Sequence, residues 1–247
     1  MSQATERTAS GESSSTSTPI IQATNISREY QLGSETVHAV RNVDLEVRLG
    51  EFITLVGRSG SGKTTLLNLL AGLDHPTSGQ VLFEGEDLAE YSEKQFIQLR
   101  RHRIGVVFQS FALLPLLSAY ENVELPMRIA GVGASERSKR TNEVLDIVGL
   151  SRRAKHRPYE LSGGEQQRIS IARAVAMRPN VILADEPTGE LDTATGDEVV
   201  ALLRGLWVDQ KATVIVVTHD QSYVTADDRV LRMRDGSLET TATPALR

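Results

Sequence analysis

Short apolar runs alternate with longer amphipathic stretches along most of the chain. The apolar runs predict strands at residues 20–26, 37–47, 52–56, 80–85, 181–184, 213–218 and 229–233. The amphipathic stretches predict helices at 63–70, from residue 164 onward, and at 193–206. Strands that are separated by helices favour right-handed crossovers and a mainly parallel sheet. The pattern therefore predicts an α/β fold.

Residues 87–162 have a different character, because three helical stretches follow one another there. We expect them to form a helical lobe, set into a single domain that covers residues 19–240. Residues 1–18 are dominated by Ser, Thr and small side chains, which cannot bury a core, so they predict a disordered tail. Residues 241–247 would form a second, short tail.

Composition narrows the classes of function. Hydrophobic residues make up 40% of the 247 residues, and the net charge is −5, so no global basic field predicts nucleic acid as a partner. The absence of cysteine excludes disulfides and thiolate metal sites. No apolar run approaches the roughly 20 residues that span a bilayer, so we expect another chain to supply any membrane helices. Basic runs at 100–103 and 151–157 fit solvated helix faces, with lipid headgroups or a membrane partner as alternatives.

Residues 57–64, here called the phosphate loop, read GRSGSGKT between a predicted strand and a predicted helix. Gly57, Gly60 and Gly62 allow backbone N–H groups to turn inward around phosphate oxygens. Lys63 can reach the β- and γ-phosphates, and the Thr64 hydroxyl suits Mg²⁺. The sequence therefore predicts a nucleotide site. Its other expected contacts are Arg58, Ser59, Ser61 and Thr65.

Two further apolar strands end in groups that suit phosphate chemistry. Asp185 and Glu186 follow the strand at 181–184, and adjacent side chains on a strand point to opposite faces. We assign Asp185 to the metal and Glu186 to the attacking water, although a solvated strand-end charge would also explain Glu186. His219 follows the strand at 213–218, where either a structural role or a phosphate contact is open.

Residues 161–168, here called the signature segment, read LSGGEQQR. They form a second loop suited to an anion at a helix start. With these motifs in this order, the chain resembles the ATP-binding-cassette (ABC) ATPases across residues 20–238. The resemblance implies a P-loop core with a mainly parallel sheet, an N-terminal antiparallel β part and an inserted helical lobe.

The resemblance also implies roles for individual residues. Gln109 matches the glutamine that links Mg²⁺ and the attacking water to the membrane partner. Tyr30 matches the aromatic residue that stacks on adenine; its own context predicts only a surface or packing residue. Asp192, in GELD, belongs to the loop that crosses between two subunits. Glu186 matches the catalytic glutamate and His219 the switch histidine, so the catalytic set would be these two with Lys63 and Gln109.

In the same family, two cassettes pair head to tail around ATP. The resemblance implies that Ser162, Gly163 and Gly164 of one copy contact the ATP held by the phosphate loop of the other. It implies ATP and Mg²⁺ as cofactors, with Thr64, Gln109 and Asp185 at the metal. The protein is thus expected to be an active ATPase and a homodimer.

Two longer stretches of sequence favour one group of ATPases within the family. LLNLLAGLDHPTSG at 66–79 and FQSFALLPLLSAYENVELPM at 108–127 are similar to the ATPases of lipoprotein release and macrolide export. That group implies a separate membrane permease whose cytoplasmic helix would dock on residues 111–120, on the cytoplasmic face of the inner membrane. Core packing would explain much of the apolar run in that segment equally well. The alternatives are an ATPase of a small-molecule importer and a cell-division regulator. A DNA-processing ATPase is disfavoured by the acidic balance and by the lack of a long insertion.

Overall fold

The fold contains two sheets, which a computed structural model describes over residues 18–239. The strands are β1 (Ile21–Leu32), β2 (Glu35–Val47), β3 (Phe52–Val56), β4 (Ser78–Phe83), β5 (Glu86–Asp87), β6 (Ile104–Val107), β7 (Val181–Asp185), β8 (Thr213–Thr218), β9 (Arg229–Arg234) and β10 (Ser237–Glu239). The helices are α1 (Lys63–Leu70), α2 (Glu93–His102), α3 (Ala119–Ile129), α4 (Ala134–Ile147), α5 (Gly163–Val175) and α6 (Thr193–Gln210). Short 3₁₀ turns lie at Leu88–Glu90, Ser151–Arg153, Pro158–Glu160 and Gln221–Tyr223. The predicted terminal tails lie outside the described residues, apart from residue 18.

The first sheet is antiparallel, in the order β2-β1-β4-β5. The second has the order β10-β9-β3-β8-β7-β6, and all its neighbours are parallel except β9 and β10. This arrangement confirms the predicted α/β architecture with its mainly parallel sheet. The predicted strand at 20–26 is longer than expected and continues to Leu32.

The central strands β3, β7 and β8 of the parallel sheet are buried on both faces, which explains their unbroken apolar runs. On β7, Val181 and Leu183 join the core beneath α1 and the antiparallel sheet, whereas Ile182 and Ala184 join the core beneath α3 to α6. Successive side chains of a strand point to opposite faces. One four-residue run therefore supplies both layers of the core.

The expectation for residues 87–162 needs one correction. Most of this segment is helical, but Ile104–Val107 is β6, which pairs in parallel with β7 and forms an edge of the main sheet. The run is only four residues long and follows directly after a basic helix, so neither its length nor its surroundings indicated a strand. The boundaries of the lobe stay a prediction.

Side-chain caps fix where three of the helices begin. Ser118 and Glu121 form a reciprocal capping box at α3, and Ser162 and Glu165 form another at α5. The Asp192 carboxylate accepts from the backbone at the start of α6. Such caps satisfy N–H groups that would otherwise lack partners. Among the helices of residues 18–239, none combines the length and apolarity needed to cross a bilayer.

Candidate active site

The phosphate loop connects β3 to α1 at the carboxyl edge of the parallel sheet, where ligands of open α/β sheets bind. The Lys63 side chain is 4% exposed and turns back over the loop. Its Nζ donates to the carbonyl oxygens of Gly57 (2.9 Å) and Arg58 (3.0 Å). It also lies 3.6 Å from Glu186 Oε1. The ammonium group is therefore held at the centre of the loop by acceptors that phosphate oxygens could replace.

Close backbone neighbours require glycine at two positions of the loop. A Cβ at Gly62 would lie 2.0 Å from the Ala39 carbonyl oxygen, and φ there is 102°. A Cβ at Gly57 would lie 2.4 Å from the Met233 carbonyl oxygen. The loop is thus fitted between β2 and β9. The Gly236 N–H, in the turn between β9 and β10, also donates to the Ser61 carbonyl (3.0 Å).

Oxygen ligands suited to Mg²⁺ meet beside the loop. Thr64 Oγ1 donates to Asp185 Oδ1 at 3.1 Å, which joins the start of α1 to the end of β7. Burial raises the pKa of the Asp185 carboxyl, and the Glu186 charge adds to this, whereas the Thr64 hydroxyl and Lys63 act in the opposite direction. Gln109 lines the same cleft as the first residues of the phosphate loop and Glu186. A hydroxyl, a carboxylate and an amide oxygen form a ligand set that fits Mg²⁺.

Glu186 leaves β7 in an unusual backbone conformation. Its φ is 44°, and its N–H donates to the Val217 carbonyl at 3.0 Å. A left-handed conformation costs a residue with a side chain about 1–2 kcal/mol, and such strain is often stored at functional sites. One carboxylate oxygen faces Lys63, and the other lies 2.5 Å from His219 Nδ1. The structure therefore brings Lys63, Glu186 and His219 together.

Gln109, Glu186 and His219 line one cleft of about 940 Å³, whereas Lys63 and Asp185 are not among its lining residues. Its walls include most of the predicted phosphate contacts, together with side chains from β9 and from the turn that follows it. The lining comprises Val56, Gly57, Arg58, Ser59, Gly60, Ser61, Gln109, Glu186, His219, Gln221, Arg232, Met233, Arg234, Asp235 and Glu239. Thr64 and Thr65 lie next to it in the first turn of α1. The positions of Arg232 and Arg234 at this cleft were not predicted. Their alternating positions on β9 indicate a strand but not that the strand lies beside the phosphate loop.

Tyr30 lies outside that lining, on β1. Its hydroxyl donates to Asp74 Oδ2 at 2.6 Å, and the Arg28 guanidinium lies over its ring at 4.6 Å. Arg28 also binds Asp74 through both carboxylate oxygens, at 2.9 and 2.8 Å. Neither partner of Tyr30 was predicted, although Arg28 is two residues away and so on the same face of the strand. That Tyr30 stacks on adenine stays a prediction.

The signature segment is not brought to the phosphate loop of the same chain. Ser162 is exposed, and its Oγ accepts from the Glu165 N–H (3.2 Å) while Glu165 Oε2 accepts from the Ser162 N–H (2.9 Å). Asp192 likewise caps its own helix, through the N–H and hydroxyl of Thr195. Across residues 18–239, no hydrogen bond or ion pair joins Ser162, Gly163, Gly164 or Asp192 to residues 57–64.

Comparison with known proteins agrees with this geometry. A family model described as ABC transporter matches residues 40–189. An uncharacterized ABC transporter ATP-binding protein of Thermotoga maritima is 49% identical, over 89% of this chain and 94% of the relative. The macrolide export ATP-binding/permease protein MacB 2 of Aeromonas hydrophila is 48% identical over 90% of this chain, which spans 34% of that protein.

Among solved structures, a dimeric post-hydrolysis state of the ATP-binding cassette MJ0796, bound to ADP and Pi, superposes with a TM-score of 0.83. It is 41% identical and covers 90% of this chain and 98% of its own; the cassette comes from Methanocaldococcus jannaschii. The chain therefore belongs to the ABC transporter family, as an ATP-binding and ATP-hydrolysing subunit.

Proposed function

We propose that this ATPase works as a head-to-tail homodimer on the cytoplasmic face of the inner membrane. There it drives a separate permease of the macrolide-export and lipoprotein-release type, for export or for mechanical work outside the membrane. The observation that carries the proposal is that the phosphate loop and the signature segment are separated from each other within one chain. The phosphate loop contacts Asp185 through Thr64 and Glu186 through Lys63, and Glu186 in turn contacts His219, whereas Ser162 is exposed at a capped helix start elsewhere in the chain. A second copy would join the two half-sites.

Each half-site then has a defined task. Lys63 exchanges its loop carbonyls for phosphate oxygens of ATP, and the loop N–H groups surround the same phosphates. Thr64, Asp185 and Gln109 would hold Mg²⁺, which, when bound, offsets the negative charge that develops on the phosphate oxygens. Glu186 orients the attacking water, and His219 fixes the Glu186 carboxylate through their 2.5 Å contact.

The signature segment supplies the second anion site in this scheme. The Ser162 hydroxyl and the first N–H groups of α5 form a helix N-terminus that favours the γ-phosphate of the partner copy's ATP. A Cβ added to Gly164 would lie only 2.1 Å from Thr195 Cγ2. The start of α5 therefore packs closely against the start of α6. ATP thereby stabilises the dimer, and hydrolysis releases it.

An exposed apolar segment supports the permease as partner. Phe108, Leu114 and Leu116 are 37%, 44% and 80% exposed, close together along the loop between β6 and α3. Contiguous exposed apolar side chains mark interaction sites. The macrolide-export relative carries a permease in the same chain, and we propose that this loop, with residues 111–120, receives a cytoplasmic helix of a separate permease.

The test uses the Glu186→Gln variant, which should bind ATP and remain in the closed dimer. The tagged variant is expressed in its native cells, membranes are solubilised with ATP and Mg²⁺, and the co-purifying proteins are identified. We expect a permease with few membrane helices and a large outer domain. The matched control is Glu186→Gln combined with Ser162→Arg, which should recover less of that permease. A multi-helix importer would redirect the proposal to uptake, and repeated absence of any membrane protein would refute it.

A further inference from the structure

Gln167 is a polar residue at the centre of α5 that is completely buried, with 0% exposure. Its Nε2 donates to two backbone carbonyls, of Pro187 at 2.8 Å and of Phe108 at 3.3 Å. Phe108 directly precedes Gln109, and Pro187 directly follows Glu186. One amide group therefore joins the two loops that carry these proposed site residues.

The same helix holds both loops at further points. At its start, a Cβ on Gly163 would lie 3.3 Å from Leu191 Cδ2 and 3.7 Å from Phe111 Cζ. Further along, Arg173 donates to the Phe111 and Ala112 carbonyls, at 3.2 and 2.6 Å. The loop after β6 is thus bound by α5 on both sides of Gln109.

Burying a side-chain amide at this position costs free energy of folding, which is justified only if its N–H donors hold other groups in place. Within the described residues, Gln167 Oε1 has no hydrogen-bond partner, so burial leaves one acceptor unsatisfied. An apolar side chain of equal length would avoid that cost but would release both carbonyls. The two donated hydrogen bonds are therefore what this residue contributes to the site.

We propose that Gln167 is a positioning residue that fixes the Gln109 loop and the Glu186 turn relative to each other. Because it lies within the signature segment, about one turn after the start of α5 at Gly163, it also links the two loops to the helix start that would contact the partner's ATP. A shift of α5 when that contact forms would move both loops together. The inference rests on the proposed roles of Gln109, Glu186 and Ser162.

The test is the Gln167→Met variant, which keeps length and volume but removes both donors. We expect kcat for ATP hydrolysis to fall by roughly 10- to 100-fold, because small misplacements of positioned groups have effects of that size. The Mg²⁺ concentration for half-maximal rate should rise severalfold, since the Gln109 loop moves. The Kd for ATP measured without Mg²⁺ should stay within about twofold, since the phosphate loop is untouched. A purely structural role would lower stability and affect kcat, the Mg²⁺ dependence and the Kd for ATP alike, rather than changing the first two and sparing the third.

Asn122→Leu is the matched control for the loss of a buried amide. Asn122 is also 0% exposed and donates to the carbonyls of Leu114, Leu117 and Ser118, at the far end of the loop that carries Gln109, and none of these hydrogen bonds reaches the Glu186 turn. We expect it to lower the melting temperature without changing the Mg²⁺ dependence. If Gln167→Met does not fold, Gln167→Asn replaces it, and its shorter amide should still lower kcat.

Two reference variants, Gln109→Ala and Glu186→Gln, test the proposed catalytic roles separately from the proposed role of Gln167. If Gln109→Ala and Glu186→Gln leave kcat unchanged, the assigned roles fail. If both lower kcat while folded Gln167→Met retains the rate and Mg²⁺ dependence of the original protein, the Gln167 inference is overturned.

Discussion

The fit of the phosphate loop against β2 yields a prediction that can be worked from distances. In the Gly62→Ala variant, the new Cβ would lie 2.0 Å from the Ala39 carbonyl oxygen. A carbon and a carbonyl oxygen normally approach to about 3.3 Å, so the loop or the strand must move by roughly 1 Å. Such overpacking costs about 1–3 kcal/mol. A left-handed φ adds about 1–2 kcal/mol for alanine.

The matched control lies two residues away in the same loop. Gly60 also has a positive φ, of 77°, but a Cβ there meets nothing within 4 Å. Gly60→Ala should therefore lose only the conformational part, about 1–2 kcal/mol. The difference between the two variants therefore measures the close contacts at Gly62, chiefly that with Ala39 and, at 2.9 Å, that with the flexible end of Met233.

The measurement is urea unfolding without nucleotide, followed by the fluorescence of Trp207, the only tryptophan in the chain. We expect the free energy of unfolding to be lower for Gly62→Ala than for Gly60→Ala by about 1–3 kcal/mol. Equal values, within about 0.5 kcal/mol, would refute the argument that β2 confines the loop.

Three further predictions concern other contacts. Asp228→Asn should lower the free energy of unfolding at neutral pH by about 3–5 kcal/mol, because it breaks a buried pair with Arg204. Burial alone would raise the pKa of Asp228, but its hydrogen bonds lower it overall. The stabilisation is therefore complete above the ordinary carboxyl pKa of about 4 and is lost as the pH falls through the lowered pKa. Urea titrations at several pH values should show the difference in unfolding free energy between the two proteins shrinking in acid. Asp74→Asn should raise the Kd for ATP by about 2- to 10-fold at unchanged kcat, since it loosens Tyr30; a binding titration that shows no change would contradict this. Trp207→Phe should cost about 1 kcal/mol by leaving the carbonyl that accepts from Trp207 Nε1 without its donor, and unfolding followed by circular dichroism measures the loss.

The sequence predicted the sheet well where strands are apolar on both faces. The runs at β3, β7 and β8 have this property, so length and flanking loops were enough to identify them. β6 was missed because four residues at a sheet edge resemble the end of the helix before them. β10 was missed as well, since its three residues form a strand only by pairing with β9.

The candidate site divides in the same way. Lys63 and Asp185 follow a strand or loop motif and could be proposed from local pattern alone, whereas local pattern left the role of His219 open. Gln167 could not be proposed in this way, because its importance depends on two carbonyls that lie far from it in sequence. Asp74 was missed for the same reason, since only the fold brings it to Tyr30. Local pattern thus finds groups that face a ligand, and long-range contacts reveal those that hold them.

The phosphate loop is enclosed by strands from distant parts of the chain, which has a consequence for biosynthesis. Its neighbours Ala39 and Met233 belong to β2 and β9, and the Gly236 N–H completes the contact. Contacts so far apart in sequence form late in folding, and during translation the β9–β10 hairpin is made long after the loop itself. We therefore expect ATP to bind firmly only after β9 and β10 have been made and have folded against the loop, so that nucleotide binding would report on the folding of this hairpin.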